Sequence, residues 1–163
     1  MFVACNKESC ENPIPQISIK KIDLTSSSGL VTINVMDCDG DIGVQEQDTA
    51  GLYRYNAFVD IRPFFNGEWS QNVWNYVDTG YYEIINDSGF VIGYDTIIDT
   101  LNYYYRIPYI ENNSRSEIYE AEVDLKLGTG YFGFDTFRFE IKIRDRALNE
   151  SNTIISETQI GRL

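Results

Sequence analysis

The stretch Asp37-Cys38-Asp39-Gly40-Asp41-Ile42-Gly43 sets three carboxylates at alternate positions, in a chain whose 25 acidic residues already outnumber 13 basic ones and leave a net charge of −12. Carboxylates crowded this closely raise one another's pKa or destabilise the fold unless a cation compensates. Calcium is the natural compensator, because it accepts 6–8 oxygen ligands in flexible geometry, whereas magnesium tends to keep its waters. Against a twelve-position calcium loop, Asp37, Asp39 and Asp41 take positions 1, 3 and 5, and Asp48 takes position 12. Position 6 holds Ile42 instead of glycine, and a strand follows in place of a helix, so the helical calcium hand is not the motif. The expectation is a structural calcium loop. The plainer reading is a solvated acidic turn, with aspartates chosen for turn geometry and solubility.

Composition narrows the remaining chemistry. Histidine is absent, which removes Ser-His-Asp and Cys-His catalysis and every histidine metal site. The acidic balance repels phosphate backbones, so no nucleic-acid partner is expected. Acid pairs for glycoside hydrolysis can be drawn, such as Glu83 with Asp95 or Asp60 with Glu120, but no feature favours either, and the chain reads as a non-enzyme. Its three cysteines, Cys5, Cys10 and Cys38, lack Cys-x-x-Cys spacing. No run approaches the ~20 apolar residues of a membrane-spanning helix.

The elements that must position the aspartates are strands, because apolar and polar residues alternate with period two along the chain. Val31, Ile33 and Val35 share a face against Thr32 and Asn34. Tyr53, Tyr55, Ala57, Val59 and Ile61 oppose Arg54, Asn56, Asp60 and Arg62. Tyr103, Tyr105, Ile107 and Tyr109 make another row, with Pro108 on its outer face suiting an edge or a bulge. Tyr119 to Leu127 and Phe137 to Ile143 repeat the pattern. In the first strand, about Ile14 to Leu24, the phase slips across Lys20-Lys21, which predicts a bulge or a change of sheet. No window shows helical period with caps.

The fold class expected is all-β: an immunoglobulin/fibronectin III-like antiparallel β-sandwich with an aromatic-rich insertion, an open barrel being the alternative. Residues 1–13 read as a tether and 14–163 as one sandwich domain. The insertion, from Gly67 to Asn102, carries Trp69, Trp74 and Tyr82, which offer a weak platform for a surface protein or glycan, and it should contain a hairpin turning near Asp87-Ser88-Gly89. Aromatics also fill sandwich cores, so most of the tyrosines are expected to be structural. In such a sandwich the loops after Leu30–Met36 and after Phe137–Arg144 leave at one end, which would bring Asp145 and Asn149 to the aspartate cluster as further ligands.

The motif Val35-Met36-Asp37-Cys38-Asp39-Gly40-Asp41-Ile42-Gly43, with Tyr105-Arg106-Ile107-Pro108-Tyr109, Phe137-Arg138-Phe139-Glu140-Ile141 and Asp145-Arg146-Ala147-Leu148-Asn149-Glu150-Ser151-Asn152, resembles surface lipoproteins of Bacteroidota. Those proteins carry an immunoglobulin- or fibronectin III-like domain and are largely of unknown function. The resemblance spans most of the chain from Pro13 onward, and Cys38 departs from it where glycine is more usual. It implies an outer-membrane lipoprotein of the cell envelope, on its periplasmic or surface face; the aromatic-rich region makes a binding or adhesion module the expected role, with a structural or assembly component as the alternative. Phe2-Val3-Ala4-Cys5 looks like the end of a lipoprotein signal, with Cys5 as the acylated residue that anchors the chain to the membrane. The alternative for Cys5 is an ordinary thiol. If Cys5 is acylated, Cys10 and Cys38 are left as an even pair that could bond in an oxidising compartment.

Overall fold

The computed structural model describes residues 12–25, 28–70, 76–86, 89–101, 103–109, 119–128 and 134–161. Alternation does most of the construction. In β9 (Thr136–Ile143), Phe137, Phe139, Ile141 and Ile143 are fully buried, while Arg138, Glu140 and Lys142 between them remain half-buried on the outer face. In β2 (Gly29–Asp37), Val31, Ile33 and Val35 make the corresponding inward row. Burying each such side chain contributes about 1.5–3 kcal/mol. Rows of this kind are stable only when two sheets close on each other.

One sheet has the order β1 (Gln16–Leu24), β2, β8 (Tyr119–Leu127), all antiparallel. The other is built on β9 and β3 (Ala57–Phe65). The short strands β10 (Ile154–Ile155) and β11 (Gln159–Ile160) pair with β9, while β4 (Glu68–Trp69) and β7 (Tyr103–Tyr105) pair with β3. The chain therefore crosses between sheets after β2 and again on either side of β8, the Greek-key arrangement of an antiparallel β-sandwich. The shared core contains Val31, Ile33, Val35, Leu125, Phe137, Phe139, Ile141 and Ile143. A hairpin pairs β5 (Tyr76–Ile85) with β6 (Val91–Leu101) within the expected insertion, and the Asn86 N–H donates to the Phe90 carbonyl where it turns. Of the residues expected at the turn, the Gly89 N–H donates to the Asn86 carbonyl, and Asp87 and Ser88 lie outside the described residues.

The expected phase slip in β1 is a bulge. Ile19 faces Ile33 and Lys21 faces Thr32, so Lys20 is the extra residue, and its ammonium pairs with Glu122 of β8. Ile17 is buried before the bulge, and Ile22 and Leu24 pack on the core after it.

Two strand limits differ from expectation. β3 begins at Ala57, because Gly51–Tyr53 is a turn of 3₁₀ helix whose Leu52 and Tyr53 face solvent, so the alternation read through Tyr53 and Tyr55 has no strand beneath it. β7 ends at Tyr105 and does not run to Tyr109. The buried Asn56 side chain takes both backbone groups of Ile107, accepting from its N–H at 2.7 Å and donating to its carbonyl at 3.3 Å, and so substitutes for a strand neighbour.

Candidate metal centre

The inward row of β2 runs Val31, Ile33, Val35 and then Asp37, so the pleat that buries three aliphatic residues buries a carboxylate next. Asp37 is 0% exposed. In β9 the row Phe137, Phe139, Ile141, Ile143 continues in the same parity to Asp145, 2% exposed. The two central strands of opposite sheets thus both end their apolar rows on a buried aspartate.

Between Asp37 and Ile42 the chain makes a tight excursion. Asp39 is exposed, Asp41 is half-buried, and Ile42 returns to the core at 2% exposure. Gly43 is required where the loop closes. Its φ of +105° belongs to the left-handed side, and a Cβ there would stand 2.7 Å from the Pro108 carbonyl oxygen. Val44 then bridges to Pro108, fixing the far end of the loop.

This geometry brings one carboxylate oxygen from each of Asp37, Asp39 and Asp41 within 4.8 Å of one another. Asp37 Oδ2 accepts the Ile42 N–H at 2.9 Å, and Asp41 Oδ2 accepts the Ala147 N–H at 3.0 Å. The second oxygens, Asp37 Oδ1 and Asp41 Oδ1, are buried without a hydrogen-bond partner. Burial, followed by the charge of Asp39, pushes the Asp37 carboxyl up to about 7. Burial, then Asp145 and Asp39, raises Asp41 as well. A cluster of three carboxylates with two buried oxygens that no protein donor reaches is suited to a hard cation.

Asp145 and Asn149 come close but serve mainly each other. Asp145 Oδ1 accepts the Asn149 N–H at 2.7 Å, and Oδ2 accepts the Asn149 side-chain amide at 2.8 Å, closing the turn that follows β9. That turn docks on the aspartate loop through the Arg146 N–H, which donates to the Asp41 carbonyl at 3.3 Å. The expected convergence of the two loops is therefore present, with Asp145 beside the triad and not within it. Asp48 is also outside the triad: its carboxylate accepts the Gln45 N–H at 3.0 Å and closes a local turn.

Arg106 carries no local signal in the sequence, yet it organises the rest of this loop. Its guanidinium donates to the carbonyls of Gln45 at 2.8 Å, of Arg54 at 2.9 Å, and of Asp48. Cys38, between two ligand candidates, is half-buried and disulfide-bonded. Its sulfur, which carries no proton in that bond, lies 2.9 Å from the Asn12 carbonyl oxygen. The chain's other cysteines, Cys5 and Cys10, are outside the described residues.

Of the aromatic platform, Trp69 is half-buried, edge-on to Phe64 at 5.0 Å, with the Arg138 guanidinium 4.5 Å from its ring centre. Trp74 and the side chain of Tyr82 lie outside the described residues, as do the side chains of Glu83 and Asp95. Asp60 and Glu120 stand on different sheets, and Asp60 faces Arg62 at 3.9 Å on the outer surface of β3. No family model, curated protein or solved structure matches the chain.

Proposed function

We propose that this chain is a non-catalytic binding or adhesion module of the cell envelope, anchored to the outer membrane through an acylated Cys5, with Asp37, Asp39 and Asp41 closing a structural calcium site. The observation that carries the calcium reading is the pair of buried, unpartnered oxygens, Asp37 Oδ1 and Asp41 Oδ1, inside a cluster of three carboxylates. Calcium fits better than magnesium because the three carboxylates lie on an irregular loop, which suits a large and flexible coordination shell. In this role the ion is a clamp: it neutralises the loop after β2, on which the turn after β9 is docked.

Millimolar calcium should raise the melting temperature of the metal-free protein, since an ion that binds only the folded state stabilises it by mass action. The shift should vanish in Asp39→Asn, whose exposed side chain leaves the fold intact. An unchanged melting temperature in calcium would overturn the clamp. Anchoring has its own readout, mass spectrometry of the N-terminal peptide from the membrane fraction. An unmodified Cys5 in soluble extract would exclude it.

Phe64 and Phe65, 40% and 47% exposed at the end of β3, with Trp69 edge-on to Phe64 and the Arg138 guanidinium over the Trp69 ring, support a binding role over a purely structural one, since each leaves aromatic area open to a partner. A surface protein or glycan is the partner class. Glycan-array or surface-binding signal lost in Phe64→Ala would support the binding reading, and signal retained in Phe64→Ala and Phe65→Ala would remove this surface from it.

A further inference from the structure

We infer that the cation site is under redox control, through the disulfide of Cys38. This rests on the calcium reading above and adds a regulator to the same site. Cys38 lies between Asp37 and Asp39, so its sulfur fixes the backbone segment that carries two of the three ligand carboxylates. Cys38 is disulfide-bonded, and the only other cysteines in the chain are Cys5 and Cys10. The Cys38 sulfur also lies 2.9 Å from the Asn12 carbonyl oxygen, in the segment that enters β1, so the bonded cysteine sits where the ligand loop meets the start of the first strand.

Three carboxylates repel one another when no ion is present, and a loop free to move relieves that repulsion by spreading. A covalent staple in the middle of the loop resists the spreading, so the ligands stay assembled and less ordering is left for the ion to impose. Opening the bond removes the staple. A dithiol attacks one sulfur, the S–S bond breaks, and the displaced thiolate takes a proton. The second dithiol sulfur then releases the remaining cysteine in the same way, leaving two protein thiols and an oxidised, cyclic dithiol. Calcium affinity should fall with the staple gone. By reciprocity, bound calcium should make the disulfide harder to reduce by the same factor.

The test uses the full chain in its oxidised form and after dithiothreitol, with thiol counting to verify each state and calcium titrated by calorimetry. The expected result is calcium binding about tenfold weaker after reduction, a factor within the usual range of site-to-site coupling. Cys38→Ser should match the reduced protein and ignore the dithiol. Equal affinities in the two verified states would overturn the inference while leaving the calcium clamp standing. Absence of calcium binding in both states would overturn both. A second measurement guards against loss of fold on reduction: the dithiothreitol concentration that opens half of the native disulfide should rise about tenfold in saturating calcium. The same midpoint with and without calcium would also overturn the coupling.

Discussion

Asp37 is where strand geometry and charge conflict. Its position in the inward row of β2 buries it completely, and burial with Asp39 beside it raises its carboxyl to about 7. A carboxyl whose folded pKa lies above its unfolded value holds its proton more tightly in the folded state. Its favourable contribution is complete below the unfolded value near 4 and is lost as pH rises through about 7. Glu150 has the opposite sign, since hydrogen bonds from Arg144 and Lys142 lower its pKa, but its effect falls at acid pH, below the window set by Asp37. The metal-free protein should therefore lose stability between pH 5 and pH 8, each kcal/mol lowering the melting temperature by about 2–4 °C in a chain of this size. Saturating calcium should flatten that slope. A metal-free melting temperature that is level or rising from pH 5 to pH 8 would show that Asp37 is not held as described. Asp37→Asn gives a prediction of opposite sign to an ordinary ligand loss: its amide keeps an acceptor for Ile42 and gains a donor toward Asp39, so the metal-free variant should melt above the wild type and no longer respond to calcium.

At the scale of elements, the parts legible in the sequence are those with strict alternation. Phe137 to Ile143 and Tyr119 to Leu127 became strands at the expected positions, because each needs only one buried face and a partner. The bulge was legible for the same reason, since a slip of one residue transfers apolar side chains to the wrong face unless a residue is left over. The burial of Asp37 and Asp145 was readable from the parity of their rows. What alternation could not show is where a side chain replaces a strand. Asn56 ends the ladder beside Ile107, and Arg106 gathers three carbonyls from residues distant in sequence, so β7 is shorter than its apolar spacing implied. Removing such a substitute should be costly. Asn56→Ala strands the buried Ile107 N–H and carbonyl, each worth about 1–3 kcal/mol when left unpaired. Urea unfolding should show a loss of at least about 2 kcal/mol, comparable to a core truncation. A loss under about 0.5 kcal/mol would mean that water replaces the side chain.

At the scale of the whole molecule, the two sheets meet at one end through polar groups in place of apolar ones. The loop after β2 and the turn after β9 are joined by the Arg146 and Ala147 N–H groups, both donating to Asp41. Asp41 therefore belongs to two systems, the carboxylate triad and the bond between sheets. Without an ion, the raised pKa of Asp41 records how poorly its charge is accommodated, and these N–H bonds are among the few groups that favour the charged form. An ion on the triad should hold the Asp41 carboxylate ionised and the residue in place, strengthening the Ala147 bond to the carboxylate and steadying the Arg146 bond to the Asp41 backbone carbonyl, although neither N–H is a ligand. Calcium should then slow amide exchange at Arg146 and Ala147 by about tenfold, together with the ligand loop itself, while leaving Leu125 and Phe139 in the core unchanged. In Asp41→Asn the protection at residues 146 and 147 should become insensitive to calcium. If exchange slowed only within residues 37–44, the ion would stabilise one loop alone, and the two sheets would be held together by their apolar core without its help.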